Sequence, residues 1–242
     1  MAVVQLDHLS KHYKNQRGLH ELSLNINRGQ VYGLLGPNGS GKTTTMKLMV
    51  GLIRPDSGRA LILGEDPSMA TAKALAGVGC LIENPIFYPY LSAEQNLALV
   101  ERLYPQVSPV AIDHVLEQVG LFSYRRERTA HYSWGMKQRL GLALALISQP
   151  ELLILDEPFR GLDIEGMAEV RRIIKTQAEQ GRTIMLSSHL AGELEQLCTD
   201  VAVIREGRLL STARMQELLQ QWDSLEAYYL HLIGSGKEPT AS

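Results

Sequence analysis

Apolar and polar positions along this chain follow two rhythms. In "ELSLNI", residues 21–26, every second position is apolar, the period of a strand with one buried face. "VYGLL" at 31–35, "GVGCLI" at 77–82, and the strand signals in "LLILDEP", "TIMLSSH" and "VAVIREG" open instead on short continuous apolar runs. Such runs predict strands buried on both faces, as in a parallel sheet covered by helices. Further strands are predicted over "AVVQLDHL" at the start, "RALILG" after the "RPDSG" turn, and "RLLST" after Gly207.

The second rhythm is helical. Helices are predicted from Lys42 to about Val50, briefly near Met69 to Leu75, and from about Ile164 to Gln180 with Gly181 as the stop. Between Asn84 and Ser148 the pattern is helical almost throughout. "SAEQNLALVERLY" begins with Ser92 as an N-cap, and "SPVAIDHVLEQVG" runs from Ser108 to a stop at Gly120. This stretch reads as a helical lobe inserted into an α/β core. Helices also close the chain through Ile233, and "GSGKEPTAS" reads as a disordered tail.

Composition narrows the class. The 242 residues are 45% hydrophobic, enough for a real core, and the length suits one large domain with an inserted lobe. A formal net charge of −2 argues against the broad basic field that nucleic acid requires, so no nucleic-acid partner is expected. The basic run "YRRER" contains Glu127 and reads as a solvated face. Two cysteines, Cys80 and Cys198, lack metal-ligand spacing and fit a reducing compartment. The first residues lack the layout of a signal peptide, and no apolar run approaches the ~20 residues of a membrane span.

Chemistry enters at "GPNGSGKTT", residues 36–44, between a strand and a helix. Gly36, Gly41, Lys42 and Thr43 satisfy the phosphate-loop pattern, with Asn38, Gly39 and Thr44 in the same cradle. Its glycines let backbone N–H groups turn toward phosphates, and the helix N-terminus adds a positive field. Lys42 neutralises charge there, and the Thr43 hydroxyl is a magnesium ligand. Downstream, "LLILDEP" places Asp156 and Glu157 at a strand end, one carboxylate for the metal and its neighbour for the attacking water. In "HYSWGMKQRLGLALAL", Ser133 and Gly135 stand where a helix begins, a second anion-binding terminus.

Together these segments resemble the nucleotide-binding subunit of an ATP-binding cassette (ABC) transporter, to about Arg208. "YSWGMKQR" resembles the family signature, with Ser133 and Gly135 retained but Tyr132, Trp134 and Met136 departing from the usual pattern. "FRGLD" resembles the D-loop and places Asp163 there, and His189 in "LSSHL" resembles the switch histidine. Tyr13 in "KHYK" resembles the residue that stacks on adenine. Glu83 occupies the position of the usual Q-loop glutamine. That glutamate, the flanking "NPIFY" and the "GMKQRL" form are similar to the bacitracin-resistance and lantibiotic-immunity exporters.

The resemblance implies an α/β P-loop NTPase core with an antiparallel β subdomain and a helical subdomain inserted at about 84–148, all within one domain over 1–233. ATP and Mg2+ are the implied cofactors, and Glu157 and His189 the implied catalytic residues. It further implies a head-to-tail dimer with a second copy of the chain. In that dimer Ser133 and Gly135 cover nucleotide held by the other copy, and Asp163 of the D-loop is counted among the nucleotide-binding residues. Its setting would be the cytoplasmic face of the membrane, against an integral permease on a separate chain that carries a peptide or antibiotic outward. The segment from Glu83 to Tyr90, with Ile86, Phe87, Tyr88 and Tyr90, is the candidate docking surface, or alternatively part of the lobe's own core. Glu83 would bring a third carboxylate to Asp156, Glu157 and the metal, or is a tolerated substitution. A soluble cassette ATPase for cofactor assembly and a P-loop small-molecule kinase are the alternative readings.

Overall fold

The structure, a computed structural model, describes residues 2–14, 17–104, 107–108 and 110–234. Of the expected tail, Gly234 ends the last helix, and residues 235–242 lie outside the described residues.

Two sheets organise the chain. The first is antiparallel, in the order β2-β1-β4, from β1 (Ala2–His12), β2 (Gly18–Asn27) and β4 (Ser57–Ile62). The second has the order β5-β6-β7-β3-β8-β9, from β3 (Val31–Leu35), β5 (Val78–Leu81), β6 (Leu152–Leu155), β7 (Thr183–Ser188), β8 (Asp200–Arg205) and β9 (Arg208–Arg214). Its strands run parallel except β9, which returns from β8 as an antiparallel edge. The tight reversal at Glu206 and Gly207, both at positive φ, makes that hairpin.

The continuous apolar runs have a physical reason. Every residue of β3, β6 and β7 is buried. Successive side chains enter different cores: Leu152 and Ile154 pack with the antiparallel sheet and α1 (Lys42–Met49), while Leu153 and Leu155 pack with the helices of the other side. With both faces covered, no polar position remains to mark the period of two. β2, which has one solvent face, keeps its alternation.

The helical stretch holds α3 (Ala93–Glu101), α4 (Val110–Gln118) and α5 (Trp134–Leu146), after the short α2 (Thr71–Leu75). Ser92 caps α3 in a reciprocal capping box with Gln95, which satisfies backbone donors that the helix cannot. Gly120 ends the next turn at φ +67. α6 (Ile164–Glu179) joins β6 to β7, and Gly181 follows it at φ +82. A short α7 (Ala191–Glu195), not anticipated from the pattern, precedes β8. The terminal helices are α8 (Met215–Gln221) and α9 (Leu225–Gly234), whose first N–H donates to the Glu195 carboxylate at 2.7 Å.

Candidate functional site

The parallel strands β3, β6 and β7 end at the same side of the sheet, so the loops that follow them converge. After β3 comes the phosphate loop. Gly36 lies so close to β8 that a Cβ there would sit 2.2 Å from the Ile204 carbonyl oxygen, and Gly41 enters α1 at φ +110. Neither position accepts a side chain without strain. Lys42 is only 5% exposed. Its Nζ donates to the Gly36 carbonyl at 2.7 Å and the Pro37 carbonyl at 3.2 Å, and stands 3.0 Å from Glu157 Oε1. Ser40 Oγ, also buried in this loop, has no hydrogen-bond partner among the described residues.

After β6 come Asp156 and Glu157. Asp156 is buried, and its two oxygens are divided: Oδ2 accepts from the Thr43 hydroxyl at 2.7 Å, Oδ1 from the Ser187 hydroxyl at 2.7 Å. Glu157 sits at φ +48, an uncommon conformation for a residue with a side chain. Ser187 Oγ holds it there by accepting the Glu157 N–H at 2.9 Å. The Glu157 carboxylate then lies between Lys42 and His189, with Oε1 at Lys42 and Oε2 2.8 Å from His189 Nδ1. The Lys42 contact is close enough for an ion pair but lacks hydrogen-bond geometry.

These groups border a cavity of about 770 Å³, the size range of small-molecule sites. Among the expected site residues, Asn38, Gly39, Gly41, Lys42, Thr43 and Thr44 of the phosphate loop line it. Asp156, Glu157 and Glu83 line it as well, as does Tyr13, 43% exposed, with Lys14 and Arg17. Gly36 does not line it and packs against Ile204 of β8 instead. His189 reaches the cavity through Glu157. Ser133, Gly135 and Asp163 do not line it.

Ser133 instead caps α5, its Oγ accepting from the Met136 N–H at 3.2 Å, and Asp163 caps α6 by accepting from Gly166 N–H at 2.8 Å. A Cβ on Gly135 would meet only Leu162 at 3.7 Å and Ser133 Oγ at 4.0 Å, which is ordinary contact. The departures around them have reasons within the chain. Tyr132 is buried and donates its hydroxyl to the Tyr124 carbonyl at 2.8 Å, and Trp134 Nε1 donates to the Arg160 carbonyl at 2.9 Å. Glu83, at φ +62, directs its carboxylate to Lys47 Nζ on α1 at 2.6 Å. The third carboxylate thus carries its own counter-charge.

Ser187, Lys47 and Gln138 were not singled out from the sequence. Ser187 stands two residues before His189 at a strand end, the only signal available. Gln138, buried, donates to the Pro158 carbonyl at 3.1 Å, one helical turn from Trp134.

The aromatic segment after Glu83 divides. Phe87 packs against the core, whereas Ile86 is 92% exposed and Tyr88 and Tyr90 are exposed. Asn96 of α3, itself buried, holds both backbone groups of Tyr88, at 2.8 Å and 3.1 Å. The outward side chains therefore stand on a fixed backbone. Among the described residues no helix is long and apolar enough to cross a membrane.

Comparisons with known proteins agree with this geometry. The ABC transporter family profile matches residues 19–160. The bacitracin transport ATP-binding protein of Bacillus licheniformis is 44% identical over 86% of this chain and 69% of its own length. The lantibiotic transport ATP-binding protein of Streptococcus pyogenes is 40% identical over 86% of this chain and 89% of its own. A solved ATP-binding subunit of an ABC transporter superposes with a TM-score of 0.85 at 28% identity, covering 96% of this chain and 99% of the other. The chain belongs to the ABC transporter family, as one of its ATP-binding, ATP-hydrolysing subunits.

Proposed function

We propose that this chain powers the export of an antimicrobial peptide or antibiotic through a separate membrane permease. The observation that carries the reading is the convergence of Lys42, Thr43, Asp156, Glu157 and His189 on one cavity. The identity of about 40% to bacitracin and lantibiotic transport proteins supports the cargo class.

In this reading the phosphate-loop N–H groups and Lys42 bind the triphosphate, and Tyr13 stacks on the base. Thr43 Oγ1 and Asp156 Oδ2 present hard oxygens 2.7 Å apart, and no cluster of three or more His, Cys, Asp or Glu ligands exists among the described residues. That donor set fits Mg2+, which takes one or two protein oxygens and completes its shell with phosphate and water. When bound, the metal neutralises charge on the phosphates. Glu157 accepts the proton of the attacking water, and His189 holds the Glu157 carboxylate in place. Glu83, held by Lys47, lines the same cavity.

ATPases of this family work as dimers with a membrane permease. For this chain the dimer is head to tail, with Ser133, Gly135 and Asp163 of one copy covering nucleotide held by the other. Support comes from Gly135: a helical glycine costs about 1 kcal/mol relative to alanine, yet nothing among the described residues requires the missing Cβ. A close approach from outside supplies the requirement. Ile86, Tyr88 and Tyr90 offer the permease an apolar surface, and in this reading the chain works peripherally on the cytoplasmic face of the membrane.

The test is a pull-down of tagged chain from native membranes in mild detergent. A stoichiometric integral membrane partner that raises ATP turnover, and whose deletion sensitises cells to a peptide antibiotic, is expected. Full activity with no membrane partner would refute the transport reading.

A further inference from the structure

Arg160 borders the nucleotide cavity, its side chain is exposed, and among the described residues its guanidinium has no hydrogen-bond or ion-pair partner. Its backbone, by contrast, is fixed. The Arg160 N–H closes a turn on the Glu157 carbonyl at 3.0 Å. Trp134 and Gln138, four residues apart on one face of α5, donate to the Arg160 and Pro158 carbonyls at 2.9 Å and 3.1 Å. Gly161, at φ +73, leaves room for the indole: a Cβ there would lie 3.0 Å from Trp134 Nε1. A free cation is thus presented on a loop clamped at alternate carbonyls.

We propose that Arg160 is a further phosphate ligand, directed at the terminal phosphate of ATP, and that Trp134 is the residue that positions it. The proposal rests on the assignment of this cavity to the nucleotide. Electrostatics selects the terminal phosphate. Arg160 is tied by its backbone to Glu157, whereas Arg17 is tied by its backbone to Tyr13, the residue assigned to the base, and Lys14 follows Tyr13 in the chain. At the Glu157 end of the cavity, the adjacent carboxylates of Asp156 and Glu157 line the space that the triphosphate enters. Lys42, the buried cation there, is already shared with Glu157 and its own loop carbonyls. The last phosphate adds further negative charge at that end, and a guanidinium matches it with paired donors in a fixed plane. A diphosphate lacks the group that Arg160 reaches.

The discriminating measurement is the affinity of the full chain for ATP and for ADP, each with magnesium, by displacement of a fluorescent nucleotide. Arg160→Gln is expected to weaken ATP by about tenfold and ADP by less than about twofold, the size of one charged hydrogen bond. Arg160→Lys, which keeps the charge but not the fork, falls between. Trp134→Phe keeps an aromatic ring but removes the indole N–H, and reproduces the ATP-selective loss in weaker form at an unchanged Tm. Equal weakening of both nucleotides by Arg160→Gln, or none, overturns the proposal. Wild-type protein that binds neither nucleotide would overturn the cavity assignment itself, a result distinct from ordinary binding that is indifferent to Arg160.

Discussion

Ser187 is the most informative position to perturb, because a single hydroxyl serves both acidic residues of the site. It is fully buried, donates to Asp156 Oδ1 at 2.7 Å and accepts the Glu157 N–H at 2.9 Å. Replacing it with alanine removes a hydrogen bond to a buried carboxylate, about 1.5–3 kcal/mol, and strands a buried N–H, about 1–3 kcal/mol. A combined loss of about 4 kcal/mol is expected, or a fall in Tm of about 8–16 °C for a chain of this size. Ser188, its neighbour, is equally buried, but among the described residues its hydroxyl accepts only the Leu190 N–H, at 2.9 Å. Ser188→Ala should cost about 1 kcal/mol.

Calorimetry of the two alanine variants without nucleotide therefore separates a charge-bearing network from ordinary turn chemistry. Turnover should separate them as well. Glu157 holds an uncommon backbone conformation through the bond that Ser187 supplies, so losing it lets the carboxylate leave its place between Lys42 and His189. A fall in kcat of about tenfold or more is expected for Ser187→Ala. If Ser187→Ala melts within about 2 °C of wild type, or no lower than Ser188→Ala, the hydroxyl does not support the two carboxylates as argued.

Three other substitutions probe different links. Gly135→Ala has room within its own chain, so Tm should hold or rise, by up to about 1 kcal/mol of stability, while ATP turnover collapses; normal turnover would deny the close approach at the dimer. Gly141→Ala places a Cβ 2.7 Å from Pro85 and should destabilise by about 1–3 kcal/mol and reduce copurification of the permease; unchanged Tm and copurification would mean that the segment after Glu83 is not seated on α5. Lys47→Glu should lower turnover by repelling Glu83, and the added Glu83→Lys should restore it through the reversed pair. A double variant no better than the single would show that the 2.6 Å pair does not set the Glu83 position.

Legibility from sequence followed the locality of each interaction. The phosphate loop was readable because its spacing of glycines, Lys42 and Thr43 is a local pattern, with Gly39 and Gly41 at positive φ, although the contact that bars a side chain from Gly36 comes from Ile204 far along the chain; the helix starts were readable because Ser92 and Ser133 cap their own helices. β9 was seen as a strand, but its antiparallel direction depends on a two-residue reversal rather than on apolar periodicity. Ser187, Gln138 and Lys47 were not distinguishable, since what matters is a partner 31, 20 or 36 residues away in the chain. Glu83 shows the same limit from the other side. Its residue type suggested a third carboxylate pressing on the metal oxygens, and only the fold reveals that α1 carries a lysine one side chain away. Trp134 completes the argument: as an isolated departure from a signature it had no explanation, yet its indole and the Arg160 carbonyl make one hydrogen bond that joins the signature helix to the loop of Glu157. Departures from a family pattern therefore become interpretable in pairs, once the contact between them is known.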